Sequence, residues 1–197
     1  LYRHLEMLEN LVPNSNKPGA RLWIDVIFFR VSAMLSYNQD MDLNVEQPIP
    51  SIGVTVPGQT HLKIGGTIDY AIVATESRKY ESFIQTSQFQ YVKRQNPNPL
   101  FITKAKQEGV TLRNHIPQAV ARMFASAKYR VRKEIARGTV TNGHEWIFII
   151  LYINQGGIGG TYATSPTIKI QVSERYPFRV ISPGPDIIAG TLFFVPS

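Results

Sequence analysis

The sequence predicts an α/β domain with a mixed central sheet that is flanked by helices. Two stretches rich in β-branched residues, 62–74 and 100–105, have the near-continuous apolar character of strands buried on both faces. Residues 112–128 carry apolar side chains at the spacing of an amphipathic helix. Residues 135–141 and 145–153 flank an Asn-Gly dipeptide, which favours a hairpin turn. Elements in this order are typical of a sheet with helices packed on it.

The N-terminal and central segments complete the expected order. Residues 3–11 predict a short helix. Residues 20–35 are apolar on nearly every side, so we expect that helix to be enclosed by other elements. Residues 36–58 are polar and rich in proline, and we predict neither a strand nor a helix there. Residues 76–99 end in Asn-Pro-Asn-Pro and predict an excursion that turns before the next strand.

The C-terminal part of the chain predicts turns and short strands. Residues 155–160 are rich in glycine and predict a turn that leads into a strand over 161–172. The tail, 182–197, holds three prolines. Within it, residues 192–195 are expected to form a short final strand or a docked extension.

Length and composition support one folded domain. The 197 residues are 43% hydrophobic and 18% charged, which excludes a disordered chain. We expect a single domain over residues 1–197 with a core at 20–172, an N-terminal helix and connector at 1–19 and a C-terminal extension at 173–197. Cysteine is absent, which excludes disulfide frameworks and thiolate zinc sites and fits an intracellular location.

The charge of the chain points to acidic partners. Lys and Arg number 21 against 14 Asp and Glu, and the resulting net charge of +7 favours phosphate backbones, DNA above all. No stretch is long and apolar enough to cross a bilayer, so no membrane partner is expected. Because the chain begins with Leu1, we expect it to come from a longer product, with a nuclear location if DNA is the partner.

Several common kinds of site have no support in the sequence. The four histidines do not have the spacing of a metal site: His4, His61, His115 and His144. The glycine-rich segment 155–160 lacks the Lys-Ser or Lys-Thr of a phosphate-binding loop, so a flexible hairpin loop is expected there. No G-x-S-x-G motif is present to anchor a serine hydrolase.

The informative residues begin with Asp69, a carboxylate within an otherwise apolar strand. A buried carboxylate is costly unless it is paired, hydrogen-bonded or bound to a cation, and a structural Asp near a strand end is the plain alternative. The next strand ends in Lys104 and Lys106, whose side chains point to the same side because strand side chains alternate. They either approach Asp69 or leave the core for solvent. Gln118 follows, one turn into the next helix.

The segments that carry this ordered signal are RLWID at 21–25, GTIDY at 66–70, FITKAK at 101–106, PQAV at 117–120 and RGTVTNGHEWIF at 137–148. In their order and spacing the chain resembles the PD-(D/E)xK nuclease superfamily over residues 20–172, in particular its uncharacterised fungal branch. The resemblance implies a restriction-endonuclease-like fold. It implies Mg²⁺ binding by Asp69, activation of the attacking water by Lys106, and a pocket lined by Gln118.

The chain departs from the pattern of this superfamily at Lys104. The superfamily has an acidic residue two positions before the lysine, whereas Lys104 gives the triad with Asp69 and Lys106 a charge of +1 instead of −1. A divalent cation would lose a ligand there and meet a second ammonium group. We therefore expect Lys104 to pair with Asp69 in place of a metal, and expect no cofactor. Mg²⁺ would return only with a relocated carboxylate: Asp25, Glu76 or Glu108.

Three functions are compatible with these residues. The first is a catalytically inactive nuclease-like domain that binds nucleic acid or a protein partner, with phosphate contacts from Lys104, Lys106, Arg113 and Arg122. The second is an active Mg²⁺-dependent DNA endonuclease that uses Asp69, a relocated carboxylate and Lys106. The third is a structural or effector-like domain that binds another protein. The sequence leaves the oligomeric state open.

Overall fold

The structure is a computed structural model that describes residues 1–13, 16–37, 39–54, 62–76, 100–130 and 134–193. Its strands are β1 (Gln39–Val54), β2 (Leu62–Glu76), β3 (Leu100–Ala105), β4 (Ile135–Thr141), β5 (Glu145–Ile153), β6 (Gly160–Thr164), β7 (Ile168–Lys169), β8 (Gln171–Val172) and β9 (Val180–Ile181). Its helices are α1 (Tyr2–Leu11), α2 (Lys17–Ser32), α3 (Ile116–Arg130) and α4 (Gly184–Phe193), with a 3₁₀ turn at Leu112–His115.

The central sheet is mixed and mostly antiparallel. Its strands follow the order β1-β2-β3-β4-β5-β6, and β7 also pairs with β5. β3 and β4 run parallel, while their neighbours pair antiparallel. The chain can make this parallel pair because α3 forms the crossover between the two strands. The predicted α/β class with a mixed sheet is confirmed.

Helices cover both faces of this sheet. On β5, the alternate residues Trp146 and Phe148 join the cluster formed with α1, α2 and α4, whereas Ile147 and Ile149 join the cluster formed under α3. This period of two, with apolar residues at every position, is typical of a strand buried on both faces. Among the described residues, no helix is both long and apolar enough to cross a membrane.

Most of the predicted elements are confirmed. The strand 100–105 and the hairpin strands 135–141 and 145–153 have the expected bounds, and the helices near residues 3–11 and 112–128 are present. In the hairpin turn, the Asn142 side chain accepts hydrogen bonds from the amides of His144 and Glu145 at 3.1 and 2.7 Å. Gly143 has φ +93°, and a Cβ there would lie 2.8 Å from the Cβ of Trp23. The turn therefore requires glycine.

Two predictions are wrong, and a third leaves two alternatives open. Residues 36–58 contain the long strand β1, which tolerates Pro48 because it lies at the edge of the sheet. Of the two alternatives for residues 192–195, the described part, Leu192 and Phe193, ends the helix α4, which packs into the core as a docked extension and forms no strand. Pro185 lies in the first turn of α4, where proline is compatible with a helix. The α2 helix is not enclosed on every side, since Leu22 and Phe29 are 43% and 64% exposed.

Two further predictions differ in extent. The strand expected over 161–172 is divided into β6, β7 and β8. Residues 155–159 form a turn between β5 and β6, as expected for a hairpin loop. The excursion predicted for 76–99 lies, except for the end of β2, outside the described residues.

Candidate functional site

Asp69 lies where β2 pairs with β3. The register Tyr70↔Thr103 and Ala71↔Ile102 brings Asp69 opposite Lys104, so both side chains point to the same face of the sheet. The Asp69 side chain is 3% exposed, and the Lys104 Nζ lies 2.5 Å from its Oδ2. The expected pairing of Lys104 with Asp69 is confirmed.

Both carboxylate oxygens of Asp69 are saturated by donors. Oδ1 is 2.5 Å from the Nζ of Lys17 and 3.2 Å from the Nη2 of Arg21. Oδ2 accepts from Lys104 at 2.5 Å and from the backbone N–H of Ala105 at 3.2 Å. An ionised carboxylate has about four lone-pair directions, and here each has a donor. No acceptor capacity is left for a metal ion.

The pKa values of Asp69 and Lys104 each reflect two opposed effects, burial and the neighbouring charges. Burial alone would raise the pKa of Asp69, but hydrogen bonds from Lys104 and Lys17 outweigh burial and hold the pKa below its ordinary value. Burial lowers the pKa of Lys104, and Arg122 and Lys17 lower it further, while Asp69 opposes the shift. Asp69 is therefore an ionised counter-ion held by several cations.

The α2 helix supplies two of these cations. Its N-cap, Asn16, accepts a hydrogen bond from the Gly19 N–H at 2.8 Å, which fixes the start of the helix. Lys17 and Arg21 are separated by one helical turn, so they project from the same side toward Asp69. The positive end of the helix dipole lies at the same place and adds to the positive potential.

Lys106 and Arg122 form the outer part of the site. Lys106 Nζ donates to Oε1 of Gln118 on α3 at 3.1 Å. The Arg122 guanidinium lies over Gly66, where a Cβ would be 3.3 Å from Nη2 and where φ is +127°. Burial, followed by repulsion from Lys104 and Arg122, lowers the pKa of Lys106. Within the described part of the chain, neither cation forms an ion pair with a carboxylate.

A second carboxylate reaches the site from β1. Oε1 of Glu46 lies 2.8 Å from Nη2 of Arg21, the same nitrogen that contacts Asp69. The Glu46 side chain is 62% exposed, so this contact is at the rim of the site. Among the described residues, the five cationic side chains named above and the two carboxylates in ion pairs with them carry a net charge of +3. We refer to Lys17, Arg21, Lys104, Lys106 and Arg122 as the cation cluster.

The residues present do not fit Mg²⁺. The ion needs free carboxylate oxygens or waters in an octahedral arrangement, whereas the Asp69 oxygens are occupied by ammonium, guanidinium and amide groups. Among the described residues, no group of three or more His, Asp or Glu side chains has the arrangement of a metal site. Two of the carboxylates that could act as the relocated metal ligand have other partners. Glu108 faces His144 at 3.9 Å, and Asp25 is hydrogen-bonded to Tyr70. The Glu76 side chain lies outside the described part.

The structure brings together most of the residues that the sequence singles out. Lys104 contacts Asp69, and Lys106 contacts Gln118. Arg113 is not part of the site: it lies in the 3₁₀ turn and lines a separate cavity with Glu145 and Lys169. Sequence reasoning missed Lys17, Arg21 and Glu46. The i, i+4 spacing of Lys17 and Arg21 was the available signal, whereas Glu46 lies in a strand that was not predicted.

No protein-family model matches the chain, and no curated protein matches it either. Fold and site define its class: an α/β domain in which a buried carboxylate at the junction of two strands is surrounded by cationic side chains.

Proposed function

We propose that the protein is a non-catalytic, nuclease-like domain that binds nucleic acid, with DNA favoured, through phosphate contacts at the cation cluster. The observation that carries this proposal is the division of the cluster into two parts. Lys17, Arg21 and Lys104 neutralise Asp69, whereas Lys106 and Arg122 have no described carboxylate partner. An external anion is the natural counter-charge for this pair.

A phosphate group matches the charge and the geometry of this outer part. The pKa of Lys106 is lowered by burial and by its cationic neighbours, so an arriving phosphate relieves repulsion that is already present. The Arg122 guanidinium offers a planar set of donors that suits phosphate oxygens. Gln118 holds the Lys106 ammonium at 3.1 Å, which limits the side-chain entropy lost on binding.

The order of elements supports a restriction-endonuclease-like fold. The α2 helix, Asp69 on β2, the lysines at the end of β3, Gln118 on α3 and the β4–β5 hairpin follow one another as the resemblance to the PD-(D/E)xK superfamily requires. We infer that internal cations have replaced the metal in this domain. Binding of DNA would agree with an intracellular, nuclear location.

Binding of a short fluorescent DNA duplex, measured by anisotropy over a series of salt concentrations in EDTA, tests the proposal. We expect affinity that does not need a divalent cation and that falls steeply with salt. Lys106→Ala and Arg122→Ala should each reduce the salt slope, which is the slope of log affinity against log salt concentration, by the contribution of about one phosphate contact. The control, Lys169→Ala, removes the same charge from a lysine paired with Glu145 outside the cluster, and should change the slope little.

The two rival functions predict different results in the same experiments. Cleavage of plasmid DNA with Mg²⁺ or Mn²⁺ that disappears in Asp69→Ala would overturn the proposal in favour of an endonuclease. Glu46 would then be the relocated carboxylate, because it is the acid that shares Arg21 with Asp69. Absence of DNA and RNA binding at low salt would also overturn it, in favour of a protein-binding role. The exposed Leu22 and Phe29 of α2 would then be the first surface to test.

A further inference from the structure

Glu46 combines an unusual backbone conformation with a contact at the rim of the site. Its φ is +54°, and among the described residues other than glycine it alone has a positive φ. The pairs Val45↔Tyr70 and Gln47↔Ile68 flank it, so it lies opposite Asp69 within the long antiparallel ladder of β1 and β2. A left-handed backbone is unfavourable for a residue that has a Cβ. Strain of this kind is often found at functional positions.

The Glu46 carboxylate occupies a position that suits a phosphate. It contacts Nη2 of Arg21 at 2.8 Å. Asp69 contacts the same nitrogen from the interior side, at 3.2 Å. Carboxylate and phosphate oxygens bind guanidinium groups in similar ways, so a negatively charged phosphate can accept hydrogen bonds from the same donors. Since the Glu46 side chain is 62% exposed, it can leave Arg21 without disturbing the core.

We propose that Glu46 is an internal competitor that occupies Arg21 until a nucleic-acid phosphate displaces it. This inference rests on the proposed phosphate-binding function. In the unbound protein, Glu46 reduces the positive charge of the cluster and covers Arg21. On binding, a phosphate takes the outer position on Nη2, Asp69 keeps the inner position, and the Glu46 side chain moves into solvent. Lys106 and Arg122 have no described carboxylate partner to be displaced in either state.

The test compares Glu46→Gln with the wild type in the duplex-binding assay. We expect the variant to bind about tenfold more tightly and to show a salt slope steeper by about one phosphate contact, because Arg21 becomes available. Glu174→Gln is the matched control, since it removes the same charge from an exposed residue between β8 and β9. That control should change affinity much less and leave the salt slope unaltered.

Two additional variants separate competition from a general charge effect. In an Arg21→Gln background, Glu46→Gln should produce no gain, because the side chain that it releases is absent. A gain that persists there would overturn the inference. Glu46→Gly should bind as tightly as Glu46→Gln without a lower denaturation midpoint, since glycine adopts φ near +54° readily.

The outcomes distinguish this inference from the function on which it rests. If the wild type binds DNA and Glu46→Gln behaves like Glu174→Gln, the competition is refuted while phosphate binding stands. If neither the wild type nor Glu46→Gln binds at low salt, both proposals fail. If Glu46→Gln alone binds, the proposed function of the wild type fails, and the competition fails with it, because no phosphate then displaces Glu46.

Discussion

Replacement of Asp69 by Asn separates a structural counter-ion from a metal ligand by the sign of its effect on stability. In a metal site without its metal, neighbouring carboxylates repel one another, so neutralising one of them stabilises the protein. Here the neighbours of Asp69 are Lys17, Arg21 and Lys104, so the same change leaves cations facing an uncharged amide. We therefore expect Asp69→Asn to lower the free energy of unfolding.

The magnitude depends on how well each pair is shielded from solvent. Lys17 is 42% exposed, so its attraction to Asp69 is screened and contributes little. The Lys104 side chain is 13% exposed and lies 2.5 Å from a carboxylate that is 3% exposed. Removing one partner of a buried pair costs about 3–5 kcal/mol, because the other charge stays buried without compensation. Since Lys104 is not fully buried, we expect a loss of about 3 kcal/mol.

Urea denaturation followed by the fluorescence of the buried Trp23 and Trp146 measures this loss. The double variant Asp69→Asn/Lys104→Met is the control, because it also removes the stranded ammonium and should recover at least half of the stability. An Asp69→Asn protein as stable as the wild type, or more stable, would refute the ion-pair reasoning and favour an acidic metal site.

The same ion pairs predict how stability depends on pH. The folded state holds the pKa of Asp69 below its ordinary value of 3.8. A lowered folded-state pKa contributes stability that is complete above the unfolded-state value and is lost as the pH falls through the folded-state pKa. The stability difference between wild type and Asp69→Asn should thus be constant near neutral pH and shrink below about pH 4. A difference that grows on acidification would contradict the assignment.

Two further changes test neighbouring features. Lys104→Glu together with Arg21→Gln reduces the local charge from +3 to 0 and should create Mn²⁺ binding detectable by calorimetry. Lys104→Glu alone should not, because Arg21 still holds Asp69 and the local charge stays at +1. Asp42 is 9% exposed, and burial raises its pKa to about 6, so Asp42→Asn should stabilise the protein by up to about 3 kcal/mol above that pH and have no effect below about pH 4. Equal stability of wild type and Asp42→Asn at pH values above 6 would contradict the second expectation.

The fold was predictable where a periodic apolar pattern coincides with burial. Residues 100–105, 135–141 and 145–153 lie in the middle of the sheet, where both faces are covered, and their composition indicates strands directly. The β1 strand was missed because it lies at an edge, where polar residues and proline are tolerated. The α4 helix was missed because prolines in a first turn resemble those of a loop.

The part of the site within the sheet could be predicted, together with Gln118 on α3. The period of two brings Lys104 opposite Asp69 once β2 and β3 are recognised as neighbours. The approach of Lys17 and Arg21 to Asp69 depends on how α2 packs against the sheet, which local sequence does not specify. The position of Glu46 depends in addition on a left-handed backbone that no glycine or asparagine marks.

The position of Asp69 explains how a site that does not fit Mg²⁺ can still depend on its carboxylate. Lys17, Arg21 and Lys104 converge on Asp69 from a helix and a strand, and these like charges repel one another unless an anion lies between them. Asp69 provides that anion and so makes the local concentration of cations stable. Loss of DNA binding in an Asp69 variant would consequently follow from collapse of the cluster, without any catalytic role. Cleavage assays, and not binding assays, are the measurement that separates a nuclease from a phosphate-binding domain at this residue.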